Sequence, residues 1–220
     1  MLRIGHDASF EPFAMVENGR STGLVLDAVA EAMQRMKAPF VFVLLTLDAA
    51  EPALAEGKVD ALAAKGDTAE RRVRFDFSAP IVVTGGALFA RAGTPAAKRL
   101  ADFAGKVVVT PRRGPLFAQI AKSAPEVTLR EAMSYAESLA LVLAGKADAA
   151  ALNWHVGIRM ARAKHPGKFT LPNEPYIALP LALAVAKGKH ADLLQRFDAE
   201  LAAMKSDGTL KAIEERWLGR

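Results

Sequence analysis

The chain has 220 residues, 51% of them hydrophobic, and a formal net charge of +5. This composition indicates one or two globular domains rather than a disordered chain, and no apolar run reaches the roughly 18 residues of a membrane-spanning helix. It has no cysteine, and its four histidines lack metal-ligand spacing, so we expect neither a metal nor a cofactor. Its basic residues are scattered among acidic ones, so nucleic-acid binding is not expected.

The first third of the chain is predicted to alternate strands with helices. Residues 24–37 place apolar side chains on one helical face, and Pro39 ends that helix. Asn18-Gly19 predicts a tight turn. The predicted elements are strands at 2–5, 40–45 and 59–64 and helices at 24–37 and 48–56. This alternation favours a parallel sheet with helices on its faces.

Residues 57–80 form the stretch that is richest in candidate site residues. Lys65-Gly66-Asp67 predicts a turn, and Thr68 is an expected N-cap for the charged helical turn after it. A strand that enters a helix through such a turn leaves unpaired amides, which favour an anion. The guanidinium of Arg71 is placed to form a bidentate pair with a carboxylate. Because we expect Arg71 at the sheet's rim, its truncation should leave folding almost unaffected.

A five-residue pattern occurs twice. Gly-Lys-Val-Asp-Ala at 57–61 returns as Gly-Lys-Ala-Asp-Ala at 145–149, each after an apolar helical run and before a strand of small residues. The repeat indicates one strand–helix unit used in two similar lobes.

The middle of the chain repeats the alternation. The predicted elements are strands at 107–109, 128–130, 148–152 and 169–171 and helices at 116–123, 134–143 and 154–164. Residues 81–91 and 180–186 are predicted to be extended and to connect the lobes. Residues 191–205 and 210–217 are predicted to close the chain as two helices.

Ligands of such sheets bind beyond the carboxyl ends of the strands. At that rim of lobe one we expect Asp7, Phe10, Leu47 and residues 65–71. At the rim of lobe two we expect the loop 110–115 and Asn153.

Six stretches together resemble the family 3 extracellular solute-binding proteins, the polar amino-acid receptors of ABC importers. They are residues 4–13, 52–60, 68–71, 75–80, 145–149 and 201–210, followed by Trp217. They occur in the family's order and cover essentially the whole chain.

The resemblance implies a two-lobed α/β fold, the type II periplasmic-binding-protein fold, in which each lobe is a mostly parallel sheet flanked by helices. Lobe one is expected to comprise residues 1–85 and 181–220, and lobe two residues 86–180, with the ligand cleft between them. It also implies a monomeric, non-enzymatic protein that delivers a small solute to the membrane subunits of an ABC transporter. Because the family mostly works in the periplasm or outside the membrane, we expect a periplasmic protein, and we interpret the sequence, which shows no signal peptide, as its mature form.

The resemblance also assigns roles to single positions. Arg71 matches the arginine that holds the ligand α-carboxylate, and Asp7 and Phe10 match residues that contact the ligand side chain. Leu47 stands where an aromatic residue often stacks on the ligand. The full set of expected ligand-binding residues is Asp7, Phe10, Leu47, Lys65, Gly66, Asp67, Arg71, Arg113, Gly114 and Asn153.

Several positions depart from the family's pattern. Asn153 stands where the family has the aspartate that binds the α-ammonium, and Pro115 donates no amide in the loop of lobe two. Lys65, Arg112 and Arg113 add positive charge at the rim. These changes favour a ligand with more negative and less positive charge than a free amino acid, such as a carboxylate or an amino acid with a blocked amine. A second role stays open for Asn153, as the cap of the helix that begins at Trp154.

Two other functions are compatible with the same scaffold. One is an enzyme, a dehydratase of a cyclic carboxylic acid, for which Glu11, Asp67 and Glu174 are the candidate general acids besides Asp7. The other is the ligand-sensing domain of a kinase.

Overall fold

The computed structural model describes residues 1–112 and 114–218. The strands are β1 Leu2–Asp7, β2 Met15–Glu17, β3 Arg20–Thr22, β4 Phe40–Leu45, β5 Ala61–Gly66, β6 Phe75–Phe77, β7 Val82–Arg91, β8 Val107–Pro111, β9 Thr128–Ala132, β10 Ala149–Asn153, β11 Phe169–Thr170 and β12 Ile177–Ala186. The helices are α1 Leu24–Arg35, α2 Leu47–Ala55, α3 Pro115–Ser123, α4 Tyr135–Leu143, α5 Trp154–Lys164, α6 Ala191–Ser206 and α7 Thr209–Leu218. Two short 3-10 helices are Arg71–Val73 and Leu100–Phe103.

The chain divides into two compact units. Unit 1 comprises Met1–Val83 and Pro180–Arg220, and unit 2 comprises Thr84–Leu179. The chain passes from unit 1 to unit 2 within β7 and returns within β12.

Unit 1 is built on strands in the order β4-β1-β5-β12, with β6 also paired to β12. β1 runs parallel to β4 and β5, as the alternation of strands and helices predicts, whereas β12 runs antiparallel to β5 and β6. The apolar face of α1, which includes Leu24, Val29 and Met33, is fully buried. Because β1 and β5 are parallel neighbours, their carboxyl ends lie side by side at one edge of the sheet.

Unit 2 is built on the order β7-β10-β8-β9, with β11 paired to β7. β8 runs parallel to β9 and β10, while β7 runs antiparallel to β10 and β11. Alternate side chains of β7 enter two separate cores, because successive strand residues point to opposite faces. Ala87 and Phe89 belong to one core, and Leu88 and Ala90 belong to the other.

The sequence repeat has a matching structure in each unit. Gly57 and Gly145 both have positive φ, 71° and 70°, at the carboxyl ends of α2 and α4. The amide of Asp60 donates to the Arg3 carbonyl at 2.8 Å, and its carboxylate accepts the Arg3 amide at 2.8 Å. Asp148 makes the same pair of bonds with Val107, both at 2.8 Å. Asp60 therefore joins the start of β5 to its parallel neighbour β1, and Asp148 joins the start of β10 to its parallel neighbour β8.

The loop after β5 differs from the prediction. Lys65 and Gly66, expected in a turn, are the last residues of β5, because β12 supplies partners for them at Ala182 and Leu181. The helical turn expected at Arg71 is a 3-10 turn of three residues, and the Arg71 and Arg72 amides, which were expected to favour an anion, are bonded to Thr68. The N-cap of this turn is Glu70 rather than the expected Thr68, although the Thr68 hydroxyl accepts a hydrogen bond from the Arg71 amide at 3.3 Å. The predicted turn at Asn18-Gly19 is confirmed, since it joins β2 and β3 with φ of 51° and 74°.

In the part of the chain that the structure describes, no helix has both the length and the apolar character needed to cross a bilayer.

Candidate functional site

Asp7 and Leu47 meet at the expected edge of the unit 1 sheet. Both line an open depression of about 660 Å³, whose other lining residues are Ala8, Ser9, Leu44, Leu45 and Thr46. Asp7 ends β1, and its Oδ1 accepts hydrogen bonds from the amide and hydroxyl of Ser9 at 3.0 and 2.8 Å. Leu47 begins α2, which Thr46 caps, and is exposed. The depression therefore has an acidic side and an aliphatic side.

Phe10 lies just after this edge and is half-buried. Its ring lies 5.2 Å from the ring of the buried Phe13, at a tilt of 41°, and its backbone pairs with Ala14. Most of its surface is therefore used in packing within unit 1, and the smaller part is exposed.

Lys65 and Arg71 are brought together by Glu51, which the sequence analysis did not select. Glu51 Oε1 lies 2.6 Å from the Lys65 ammonium and 3.3 Å from Arg71 Nε, and Oε2 lies 2.8 Å from Arg74 Nη2. The Lys65 and Arg71 side chains are 9% and 11% exposed, whereas that of Arg74 is 55% exposed. One carboxylate thus faces three cations, two of which are buried.

Burial and like charge dominate the electrostatics of this cluster. Burial, followed by the charge of Arg71, lowers the pKa of Lys65 to about 8 against the support of Glu51. Burial also lowers the pKa of Arg71, although Glu51 counteracts this. Burial opposes ionisation of Glu51, but Lys65, Arg71 and Arg74 outweigh it and lower the pKa of that carboxyl. The cluster therefore holds a fixed anion and an excess of positive charge.

Gly66 and Asp67 have structural contacts at the same place. The Gly66 carbonyl accepts a hydrogen bond from Arg71 Nη1 at 3.1 Å, which fixes the guanidinium against the end of β5. Asp67 accepts both arms of the Arg72 guanidinium, at 2.7 and 2.6 Å, in an ion pair of fork geometry. The four residues predicted at 65–71 thus lie together, but Asp67 faces Arg72 rather than Lys65.

In unit 2, Asn153 lies at the end of β10 and is 2% exposed. Its Oδ1 accepts the Val156 amide at 3.3 Å, so the helix-capping role that the sequence left open is present. The hydroxyl of Thr84 lies 3.3 Å from the same oxygen and 2.8 Å from Nδ1 of His155. Among the described residues, Asn153 Nδ2 has no hydrogen-bond partner. A buried NH₂ donor of this kind suits a hydrogen-bond acceptor.

The loop between β8 and α3 is less informative about a ligand. The Gly114 amide donates to the Pro111 carbonyl at 3.1 Å, and Pro115 is the first residue of α3. Arg112 forms an exposed ion pair with Glu131 at 3.3 Å. The prediction for Arg113 lies outside the described residues.

The contributions of Glu51, Arg74 and Thr84 were missed from sequence. The only sequence signal for Glu51 is its position four residues after Leu47, which places both on one face of α2. Among the described residues, no group of three His, Asp or Glu side chains is arranged to hold a metal ion.

The fold matches one class of protein, the bacterial extracellular solute-binding proteins. The chain belongs to family 3 of that class, whose model matches residues 2–220. This confirms the predicted family and the two-lobed α/β fold class.

Three comparisons show how far the similarity extends. The ABC transporter glutamine-binding protein of Bacillus subtilis (strain 168) is 29% identical over 168 residues, which are 76% of this chain and 60% of that protein. A histidine kinase sensor domain with similarity to periplasmic binding proteins superposes with a TM-score of 0.87 at 27% identity, covering 99% of this chain and 96% of the other. An ancestral amino-acid-binding protein, a precursor of cyclohexadienyl dehydratase, superposes with a TM-score of 0.80 at 28% identity, covering 98% and 94%.

Proposed function

We propose that this chain captures a small carboxylate-bearing solute for an ABC importer, and that this solute carries less positive charge than a free amino acid. Family membership and the amino-acid-transport relatives support the general class of function. The narrower claim about the ligand depends on side chains that belong to this chain.

The observation that carries the proposal is the shared carboxylate of Glu51. The side chain of Lys65 is 9% exposed and that of Arg71 is 11% exposed, and both lie against Glu51 Oε1. Removing two cations from water with one counter-ion leaves a desolvated positive charge that a ligand carboxylate would neutralise. We assign the ligand carboxylate to Arg71 and Lys65 for this reason.

Asn153 supports the second half of the claim. An α-ammonium taken out of water needs a nearby anion, and an amide supplies only a carbonyl dipole. The Oδ1 of Asn153 is already used by the Val156 amide, while the group without a described partner is the donor Nδ2. Contact with a ligand acceptor, such as a carbonyl, a hydroxyl or a carboxylate, would satisfy this donor.

A thermal-shift screen tests this function. The panel pairs each standard amino acid with its N-acetyl derivative and its 2-oxo or 2-hydroxy acid. We expect stabilisation by at least one carboxylate that lacks a free amine, and weak or absent stabilisation by the parent amino acids. Strong stabilisation by a free amino acid alone would contradict the proposed ligand class but keep the transport function.

The partners and location follow from the same proposal. The solute would be passed to the membrane subunits of an ABC transporter, and the protein would act in the periplasm as a monomer. Size-exclusion chromatography with light scattering tests the oligomeric state directly, since a dimer doubles the measured mass.

Two other functions are supported by particular similarities. The sensor-domain structure favours a signalling role, which a kinase domain encoded in the same gene would establish. The dehydratase precursor favours an enzyme. However, Asp67 is held by Arg72 and Glu174 lies 2.9 Å from Lys98, so two of the candidate acids are in ion pairs. Incubation with prephenate and detection of an aromatic product by absorbance would identify the enzyme.

A further inference from the structure

The Glu51 cluster is unbalanced in charge. Glu51 Oε1 is shared by Lys65 at 2.6 Å and Arg71 at 3.3 Å, while Oε2 faces Arg74 at 2.8 Å. Arg74 is mostly solvated, and its guanidinium carbon also lies 5.1 Å above the ring of Phe75. Lys65 and Arg71 therefore share one oxygen of Glu51, and Arg71 is also attracted by the charge of Glu70.

The elements around Lys65 carry the charges of this cluster and a few others, including Asp48 on α2 and Glu70 before the 3-10 turn, which also attracts Arg71. α2 contributes Glu51, and the 3-10 turn and the residue after it contribute Arg71 and Arg74. The neighbouring strand β12 has no titratable side chain over Ile177–Ala186. On the other neighbour, β1, His6 is bonded to Ser21 and Asp7 to Ser9.

Asp67, the nearest acidic residue along the chain, is also committed elsewhere. Both of its oxygens accept from the Arg72 guanidinium, at 2.7 and 2.6 Å. Within the described residues, Glu51 is thus the carboxylate placed to balance Lys65, and it is shared with two arginines.

We propose that a carboxylate captured beside Lys65 and Arg71 completes this charge balance, and that its capture is coupled to the uptake of a proton by Lys65. This inference rests on the proposed function and adds a specificity-determining residue, Lys65, with Glu51 as the residue that positions it. The site then binds its anion best when Lys65 is charged.

The sign of the coupling follows from the cluster. Burial and Arg71 lower the pKa of Lys65 to about 8, so part of the population is neutral in mildly alkaline solution. A second carboxylate near the amine favours its charged form and raises that pKa. If only the charged form binds well, the dissociation constant rises about tenfold between about pH 7 and pH 9.

The test measures Lys65 directly and needs no identified solute. The ε-carbon of lysine is labelled with ¹³C, and the Lys65 signal is assigned by its loss in Lys65→Met. Its titration midpoint is measured in about 0.2 M sodium acetate and in sodium chloride of equal ionic strength, so that screening is the same. We expect the midpoint to be higher in acetate by half a pH unit or more.

Lys58 and Glu56 provide a matched control in the same unit. They form an exposed ion pair at 2.7 Å, with side chains 72% and 55% exposed. Glu51→Gln should lower the Lys65 midpoint, because the amide cannot support the ammonium, whereas Glu56→Gln should leave it unchanged. Lys65→Arg keeps the charge at every pH, so its stabilisation by acetate should not change between about pH 7 and pH 9.

An equal Lys65 midpoint in acetate and chloride would overturn the inference. The proposed function would survive that result if the carboxylate screen still finds a solute. If acetate shifts Lys65 but no carboxylate in the panel stabilises the protein, the cluster is an anion site and the proposed transport ligand is wrong.

Discussion

The guanidinium of Arg71, which we propose binds the ligand carboxylate, also makes contacts that stabilise the fold. Its guanidinium donates to the Gly66 carbonyl at 3.1 Å and faces Glu51 at 3.3 Å, and its side chain is 11% exposed. The sequence-based expectation that its truncation leaves folding unaffected conflicts with these contacts. Arg71 therefore stabilises the end of β5 and would also hold an anion bound beside it.

Arg71→Ala should therefore weaken both binding and folding. We expect a loss of about 2–5 kcal/mol in binding of a carboxylate found in the screen, since the anion loses a desolvated partner. We also expect a loss of about 1–3 kcal/mol in the free energy of unfolding, from the missing bonds to Gly66 and Glu51. Isothermal calorimetry and urea unfolding measure the two effects.

Arg72→Ala is the matched control, because that side chain is 65% exposed and pairs with Asp67 outside the Glu51 cluster. Because it leaves the Asp67 carboxylate, whose side chain is 7% exposed, without its partner, it should lower the free energy of unfolding by about 1–3 kcal/mol, but it should leave binding unchanged. Affinity of Arg71→Ala within about threefold of the parent, which corresponds to roughly 0.7 kcal/mol, would remove Arg71 from the site.

Asn153→Asp tests the ligand class at a single atom. The substitution keeps an oxygen to cap α5 and replaces the Nδ2 donor by a second carboxylate oxygen. We expect the variant to be stabilised by at least one free amino acid that does not stabilise the parent, and to lose affinity for the amine-free ligand through charge repulsion. A thermal-shift screen of both proteins measures this. An unchanged screen, together with micromolar binding of a free amino acid by the parent, would show that another residue holds the ammonium.

At the level of elements, the packing of α5 on β7 depends on the absence of a side chain at Gly157. A Cβ added at Gly157 would lie 2.4 Å from the ring of Phe89, which is fully buried. The ring belongs to the core that α4 and α5 share, so it has little room to move.

Gly157→Ala should therefore destabilise unit 2, even though alanine favours a helix over glycine by about 1 kcal/mol. Overpacking of a dense core costs about 1–3 kcal/mol, so we expect a net loss of up to about 2 kcal/mol in the free energy of unfolding. Urea unfolding of the single variant and of Gly157→Ala with Phe89→Leu checks the mechanism. If the smaller side chain at position 89 does not recover part of the loss, the contact with Phe89 is not the cause.

The same scale shows why some elements were predictable. The Gly-Lys-x-Asp pattern was detectable because it occurs twice in similar sequence surroundings, and each copy has a glycine of positive φ after a helix. The aspartate bonds to Arg3 and Val107 span 57 and 41 residues, so no local pattern specified them. The extent of β5 was not predictable, because Lys65 and Gly66 become strand residues only through pairing with β12, more than a hundred residues away.

For the whole molecule, site residues at the ends of strands could be predicted from sequence, whereas residues placed by packing between elements could not. Asp7 and Lys65 lie at the ends of β1 and β5, Leu47 and Arg71 follow strands, and parallel pairing of β1 and β5 brings these strand ends to one edge. The position of Glu51 depends on how α2 packs against β5, which no local pattern specifies. Sequence therefore located Lys65 and Arg71, whereas only the three-dimensional structure shows Arg74 and the Glu51 carboxylate that all three share.

The pH dependence of unfolding gives a whole-molecule test of that cluster. The pKa of Lys65 falls from its ordinary value of 10.5 to about 8 in the folded protein. Between these two values the unfolded chain binds more protons at Lys65 than the folded chain, so this residue makes the free energy of unfolding rise with pH. Below about pH 8 the charged amine is present in both states, and its burial penalty is retained in full.

Lys65→Met isolates this contribution, because every other titrating group remains in both proteins. We expect the free energy of unfolding of the parent, minus that of the variant, to increase by up to about 3 kcal/mol as the pH rises from about 8 to 10.5. Urea unfolding at several pH values in this window measures the difference, and Lys58→Met, which removes an exposed lysine, should show almost none. A difference that stays flat or decreases with pH would mean that Lys65 keeps an ordinary pKa in the folded protein. In that case the shared carboxylate of Glu51 fully compensates its burial, and the proposed coupling of anion capture to proton uptake would lose its basis.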